Sequence, residues 1–254
     1  MTASICLSVD DTCACITALV LAGITNCIHI NHGNVVKGLD KYIAEAAQCS
    51  RSDAKAALRG GRVTVDGRLC RAPETPVDEH ANVLLDGAPL RRQRFVYIML
   101  DKPQGVVSAS RDGGDTTVVD LVGKAYPRRS LFPAGRLDKT STGFVLVTDD
   151  GAFAHDILAP KRHVAKTYQV ELDTDLTPEM IAGFAAGVTL ADGQKMEPAR
   201  LTPGPGGPRT ATVVLTQGVY HQIKRMFGVY GAGVNALRRT AIGALPLDLS
   251  LIHI

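Results

Sequence analysis

Apolar and polar positions follow two periods along this chain, and each period predicts a different element. Leu39, Tyr42, Ile43 and Ala46 return at intervals of three and four, the spacing of one helix face. Ser50 or Ser52 can cap a second helix over Asp53–Arg59, which Gly60-Gly61 stops. Arg62–Val65 then alternates like a strand, Asp66-Gly67 is a hairpin turn signal, and Arg68–Arg71 is the expected return strand. Val77–Leu85 supplies another strand region, ended by Asp86-Gly87. The pattern so far is a helix–helix–strand–strand unit of roughly 50 residues, small for a module with its own core.

Downstream the rhythm changes. Phe95–Leu100 is a continuous apolar run, consistent with a buried strand. Asp101–Gly105 turns the chain, and Val106, Val107 and Ser108 read as a second strand. Phe144–Thr148, Thr167–Leu172 and Thr210–Leu215 are further strand candidates. Pro178–Ala186 reads as a helix, with Thr177 as its N-cap and Pro178 at its first position. Gln222–Val229 begins another helix, and Asp149-Asp150 forms a turn or a helix cap. The run P-G-P-G-G-P (Pro203–Pro208) has glycines but no following Lys-Thr or Lys-Ser, so it reads as a surface turn and not a phosphate loop. Strands and helices intermix without a regular β-α-β rhythm. The expected class is therefore α+β with a mixed, mostly antiparallel sheet flanked by helices.

Composition narrows the class. Of 254 residues, 45% are hydrophobic and 21% charged, a globular balance. The longest weakly polar stretch, Ala14–Ile30, contains Thr17, Thr25, Asn26 and His29 and has no Lys or Arg before it. It fits neither a transmembrane helix nor a secretory signal, so a soluble, cytoplasmic chain is expected. Four of six cysteines crowd into the first 27 residues and no disulfide framework repeats, which points to a reducing compartment. Cys13, Cys15, Cys27, His29 and His32 match no zinc-finger spacing, and no metal site is expected. G-x-S-x-G, H-E-x-x-H and Walker patterns are missing.

The net charge is +3, yet the first 36 residues hold Asp10 and Asp11 and no Lys or Arg. The positive excess therefore lies further on. Arg51, Lys55 and Arg59 stand four residues apart on one helical face, followed by Arg62, Arg68 and Arg71, with Asp53 and Asp66 as the opposing acids. This is either a solvated face or a surface that tracks phosphates. The stretch L-D-K-Y-I-A-E-A-A-Q-C-S-R-S-D-A-K-A-A-L-R-G-G-R-V-T-V-D-G-R (Leu39–Arg68) resembles the S4-like RNA-binding domain of ribosomal and RNA-modifying proteins. It departs from that pattern at Gly38, where the family has Arg. The resemblance implies phosphate contacts from Arg51, Lys55, Arg59 and Arg62.

The strongest local feature is F-P-A-G-R-L-D-K-T-S-T-G-F-V-L-V-T-D-D-G (Phe132–Gly151). A polar loop carries one carboxylate, Asp138, between an Arg and hydroxyl residues, and an apolar strand follows directly. Read alone, Asp138 either caps a turn with Ser141 and Thr142 or is a carboxylate held in place for chemistry. The segment resembles the catalytic motif of the RsuA/RluA-type pseudouridine synthases. Y-I-M-L-D-K-P-Q-G-V-V-S (Tyr97–Ser108), K-T-Y-Q-V (Lys166–Val170), G-V-Y-H-Q-I-K-R-M-F (Gly218–Phe227) and V-N-A-L-R-R-T-A-I-G (Val234–Gly243) resemble further motifs of that family, in order. With the S4-like module ahead of them, they resemble its RsuA branch, whose type member modifies small-subunit ribosomal RNA.

That resemblance implies an isomerase of uridine in ribosomal RNA, with no cofactor, acting as a monomer on ribosomal RNA or a pre-ribosomal particle. It implies Asp138 as the catalytic carboxylate, Lys224 as its cationic partner and Tyr168 as the aromatic plane under the flipped base. Arg136 is then an RNA contact and Leu237 a pocket wall. Without the resemblance, Tyr168 reads as a core aromatic on a strand. His155, His163 and His221 are scattered, and His221 is expected to brace its loop. The implied organisation is an unmatched extension over 1–36, an S4-like domain over 37–90 and a synthase domain over 95–254. The family's Gly-Glu-x-Arg-x-Leu strand is not found near the end of this chain, so a divergent or truncated C-terminus with an open sheet edge is expected. The alternative is a non-catalytic RNA-binding or ribosome-assembly protein that keeps the fold.

Overall fold

The computed structural model describes residues 4–6, 38–47, 49–78, 81–91, 95–162 and 164–248. The remainder of the 1–36 extension, the five candidate zinc ligands within it, His163 and residues 249–254 lie outside the described residues. The described residues form two compact units, 38–95 and a larger one comprising 4–6 with 96–248. Strand β1 (Ser4–Cys6) belongs to the larger unit.

The smaller unit opens with α1 (Leu39–Ala46) and α2 (Arg51–Arg59). Ser50, rather than Ser52, caps α2. Its Oγ accepts from the Asp53 N–H at 3.1 Å, and the Asp53 carboxylate accepts from the Ser50 N–H at 3.0 Å. Such a box satisfies two orphan donors and contributes about 1 kcal/mol. Four short strands follow: β2 (Val63–Val65), β3 (Arg68–Leu69), β4 (Val83–Leu85) and β5 (Ala88–Leu90). They pair antiparallel in the order β3-β2-β4-β5. Asp66-Gly67 and Asp86-Gly87 all have positive φ (49°, 77°, 52° and 79°), the sign pattern of type I′ hairpins. The strand expected over Val77–Leu85 starts only at Val83, although Val77 is itself buried. Strand β5 carries Pro89, which is tolerated because β5 is an edge. Leu39, Tyr42 and Ile43 meet Ala54, Leu58, Val63 and Val83 in one apolar cluster.

The larger unit contains β6 (Tyr97–Lys102), α3 (Val118–Val122), β7 (Phe132–Ala134), β8 (Thr142–Thr148), α4 (Gly151–Leu158) and β9 (Lys166–Leu172). It continues with α5 (Pro178–Ala186), β10 (Arg200–Pro203), β11 (Thr210–Leu215), α6 (Gln222–Gly228), β12 (Val234–Ile242) and β13 (Leu245–Pro246). The sheet runs β1-β6-β8-β12-β9-β11-β10, with β7 also on β8 and β13 also on β12. Every pair is antiparallel except β8–β12. This is the expected α+β fold with a mostly antiparallel sheet and flanking helices.

Burial follows position in the sheet. The central β8 is buried from Gly143 to Thr148, whereas β9 alternates: Tyr168, Val170 and Leu172 are buried, Gln169 and Glu171 exposed. Helix α5 is capped by Thr177, whose Oγ1 accepts from the Met180 N–H. It packs Phe184 against Phe227 of α6 at 4.7 Å between ring centroids. Asp150 caps α4 by accepting from the Phe153 N–H, and also accepts from the Tyr97 hydroxyl at 2.6 Å. The run Pro203–Pro208 is the turn between β10 and β11. Val106–Ser108 is not a strand. Val107 makes a single bridge to Thr117, and Ser108 is used to hold a loop. Among the described residues, no helix is long and apolar enough to cross a membrane.

One detail of the sheet places the site. Strand β8 changes partner along one edge: β7 pairs with Leu146–Thr148, and β12 with Thr142 and Gly143. The loop that leaves β7 and enters β8 spans 135–141, so Asp138 lies where the partner changes.

Candidate active site

The loop carrying Asp138 is held mainly through its backbone. Ser108 Oγ donates to the Leu137 carbonyl and accepts from the Leu137 N–H, both at 3.0 Å. The Ser141 N–H donates to the Asp138 carbonyl at 3.0 Å, and the Gly105 N–H to the Lys139 carbonyl at 2.8 Å. Two buried cations complete the clamp. Lys102 Nζ donates to the carbonyls of Ser141 (2.7 Å), Pro103 (2.9 Å) and Lys139 (3.4 Å). Arg239 Nε donates to the Phe144 carbonyl at 2.7 Å, and its Nη1 to the Arg136 carbonyl at 3.4 Å. Charge-assisted bonds of this kind are about twice as strong as neutral ones, and they fix the loop on both sides of Asp138.

The Asp138 side chain stays partly accessible and faces cationic or protonatable groups. Lys224 Nζ lies 3.8 Å from Oδ2, and His221 Nε2 lies 3.3 Å from Oδ1. Lys224 also donates to Thr140 Oγ1 at 3.0 Å, which ties α6 to the loop. Lys224 and Leu237, with Gln104, Thr140, Ser141, Val234 and Asn235, line a cleft of about 240 Å³. Tyr168 is buried in the apolar cluster of the larger unit, where β9 pairs it with Arg239 of β12, and it is not among the residues that line the cleft. Arg136 is exposed two residues before Asp138.

Lys102 has no exposed surface. Burial pushes its ammonium down to about 8, and the charge of Asp138 partly opposes that shift. The folded chain gives up this proton near pH 8, whereas an unfolded lysine keeps it to about pH 10.5. Stability from this group therefore rises as pH rises through that window. Lys102→Met removes the titration. In denaturant titrations, wild-type stability relative to the variant should climb between pH 8 and 10.5, and a constant difference would refute the assignment.

The smaller unit presents Arg51, Lys55, Arg59 and Arg62, but their acidic neighbours differ from expectation. Asp53 is used in the cap, and Asp66 accepts from the Asn82 N–H. The acid that meets Arg51 (2.8 Å) and Lys55 (3.8 Å) is Asp40, and Arg62 pairs with Asp86. Burial pushes the Asp40 carboxyl up, and Arg51, the Lys41 N–H and Lys55 more than reverse this, leaving it below the usual carboxylate range. Arg51, Arg59 and Arg62 remain largely exposed and Lys55 half-exposed, so their outer faces are open to a phosphate backbone.

Sequence reasoning assigned no role to Lys102 or Arg239. Their partners are carbonyls, which any residue supplies, so no complementary residue type announced them. The sequence pattern puts Lys102 in the turn after the apolar run, whereas it is the last residue of β6 and its side chain is buried.

A family model described as RNA pseudouridylate synthase matches residues 96–228, and one described as S4 domain matches residues 37–83. The uncharacterized RNA pseudouridine synthase YtzG of Bacillus subtilis is 39% identical over 216 residues, which is 84% of this chain and 90% of the relative. Ribosomal small subunit pseudouridine synthase A of Salmonella typhimurium is 41% identical over 216 residues, 84% of this chain and 92% of the relative. A crystal structure of a pseudouridylate synthase aligns with a TM-score of 0.55 at 34% identity, over 85% of this chain and 92% of that one.

Proposed function

Because the chain belongs to the RNA pseudouridylate synthase family and carries an S4 domain, it is an RNA-modifying isomerase, and we propose that it acts on a uridine of small-subunit ribosomal RNA. The supporting observation is the Asp138 carboxylate, held beside His221 and beside Lys224, which itself lines a cleft together with Leu237. The small-subunit assignment draws on the relatives at 39–41% identity that carry that name.

In this reading the target uridine leaves the stack and enters the cleft, since its reacting atoms are shielded within paired RNA. Asp138 in its ionised form acts as nucleophile toward the sugar or base, or as the base that drives elimination from the ribose. The bond from ribose carbon one to ring nitrogen one breaks, the uracil turns, and a bond forms to ring carbon five. Carbon five loses a proton and nitrogen one gains one, so atoms and electrons balance with no oxidant or donor. Lys224 keeps a positive charge beside the carboxylate. Tyr168 offers a plane to the unstacked base and assists proton removal from carbon five. Arg136 contacts the RNA, while Arg51, Lys55, Arg59 and Arg62 supply sequence-independent affinity for phosphates. The protein works as a monomer in the cytoplasm, on ribosomal RNA or a pre-ribosomal particle.

The test incubates the full chain with small- and large-subunit ribosomal RNA transcripts, and with partly assembled small subunits, and then maps pseudouridine chemically. Conversion of one uridine in the small-subunit RNA is the expected result. Conversion confined to large-subunit RNA would move the substrate, and no conversion in any of them would favour a non-catalytic binding protein.

A further inference from the structure

Tyr220 is anomalous. It is 75% exposed, the most exposed of the large apolar side chains among the described residues. Exposing an aromatic ring to water leaves apolar area uncovered unless a partner covers it. The ring stacks on the imidazole of His221 at 3.8 Å between centroids and 17° between planes. His221 in turn places Nε2 3.3 Å from Asp138 Oδ1. A protein ring, an imidazole and the carboxylate thus form a continuous series from solvent to the reacting centre.

The backbone is strained to produce this series. His221 has φ 50° and ψ 30°, the left-handed region, at the cap of α6. A non-glycine residue there costs on the order of 1 kcal/mol and persists where the surroundings require it. Relaxing it would rotate the imidazole away from Asp138 or from the Tyr220 ring. One face of Tyr220 is covered by His221, and an exposed ring face remains beside the site.

We propose that the Tyr220–His221 pair is a stacking ledge for a nucleobase flanking the target uridine in the RNA strand. This rests on the synthase reading above and deepens it by naming a subsite. When one nucleotide is withdrawn from a strand, its neighbour loses a stacking partner. An aromatic plane one imidazole removed from the carboxylate replaces that partner, and because every base has a π face the ledge is sequence-tolerant. Tyr220 is a binding residue, outside the bond-making set.

Tyr220→Ala and Tyr220→Phe are compared with wild type on a small-subunit ribosomal RNA transcript. Loss of one base–aromatic stack is expected to raise KM by about 5- to 150-fold in Tyr220→Ala, with the single-turnover rate at saturating RNA changing by less than about 3-fold. Tyr220→Phe should restore KM, because the ring plane is kept. An unchanged KM in Tyr220→Ala overturns the proposal. So does Tyr220→Phe as impaired as Tyr220→Ala, which would assign the effect to the hydroxyl. A fall in kcat at constant KM also overturns it, because Tyr220 would then act through His221 on Asp138. Ultraviolet cross-linking of wild type to the same transcript, followed by peptide mapping, gives a readout independent of turnover. A nucleotide adduct on Tyr220 supports the ledge, and adducts confined to other peptides refute it. If wild type cross-links at Tyr220 but forms no pseudouridine, the synthase reading fails while the stacking site stands.

Discussion

Asp138→Asn is expected to lower the single-turnover rate of pseudouridine formation by on the order of 10⁴-fold, with RNA affinity changed by less than about 3-fold. The asymmetry comes from how the loop is held. Its anchors are backbone groups bound by Ser108, Lys102, Arg239 and Gly105, and none uses the Asp138 carboxylate. Asparagine keeps the shape and one carbonyl oxygen, so the loop should stay in register. It loses the charge that can attack or abstract a proton, and with it the electrostatic attraction of Lys224 at 3.8 Å. Tritium release from ring carbon five of labelled transcript measures the rate, and filter binding measures affinity. A variant that turns over like wild type would remove Asp138 from the chemistry. One that fails to bind RNA would show that its carboxylate serves affinity instead.

Gly143→Ala should be the most damaging single-methyl change in the larger unit. Gly143 has φ +99°, and a Cβ there would stand 2.2 Å from the Arg239 carbonyl oxygen and 2.8 Å from the Arg239 nitrogen. Both obstacles are backbone, so no rotamer change relieves them. The only escape is to part β8 from β12, where Gly143 pairs with Arg239 in the sheet's single parallel contact. Left-handed strain plus this overlap should cost on the order of 3 kcal/mol or more. Because Arg239 also reaches the Phe144 and Arg136 carbonyls, the Asp138 loop should loosen together with the sheet. Denaturant midpoints should fall markedly, and activity should fall beyond what the unfolded fraction explains. A midpoint equal to wild type would mean the strands approach less closely than described.

Where local chemistry decides structure, the chain was readable before folding. Thr177-Pro178 starts α5, Asp66-Gly67 closes a hairpin, and the alternation over Thr210–Leu215 is a strand. Ser50 and Ser52 were equivalent as caps until Asp53 completed a box with only one of them. Val106-Val107 misled because two β-branched residues look like a strand, whereas the segment is committed to holding the Asp138 loop through Gly105 and Ser108. The strand β5 was missed because Ala88-Pro89-Leu90 lacks a strand composition and pairs only as an edge. In the site, the motif spacing does not show that Asp138 and Lys224 come within 3.8 Å, because 86 residues separate them in the chain. The His221 contact depends on a left-handed residue that no period announces.

The single parallel contact joins segments far apart along the chain. Arg239 grips a carbonyl 95 residues earlier in the chain, and β8 cannot be completed on that edge until β12 has been synthesised. Pairings of such long separation form late, after the local helices and hairpins. The smaller unit has its own apolar cluster and precedes this step in the chain. The smaller unit's cluster can thus close while the larger unit still waits for β12, and the acidic side chain on the 135–141 loop gains a defined position only after that strand has joined the sheet.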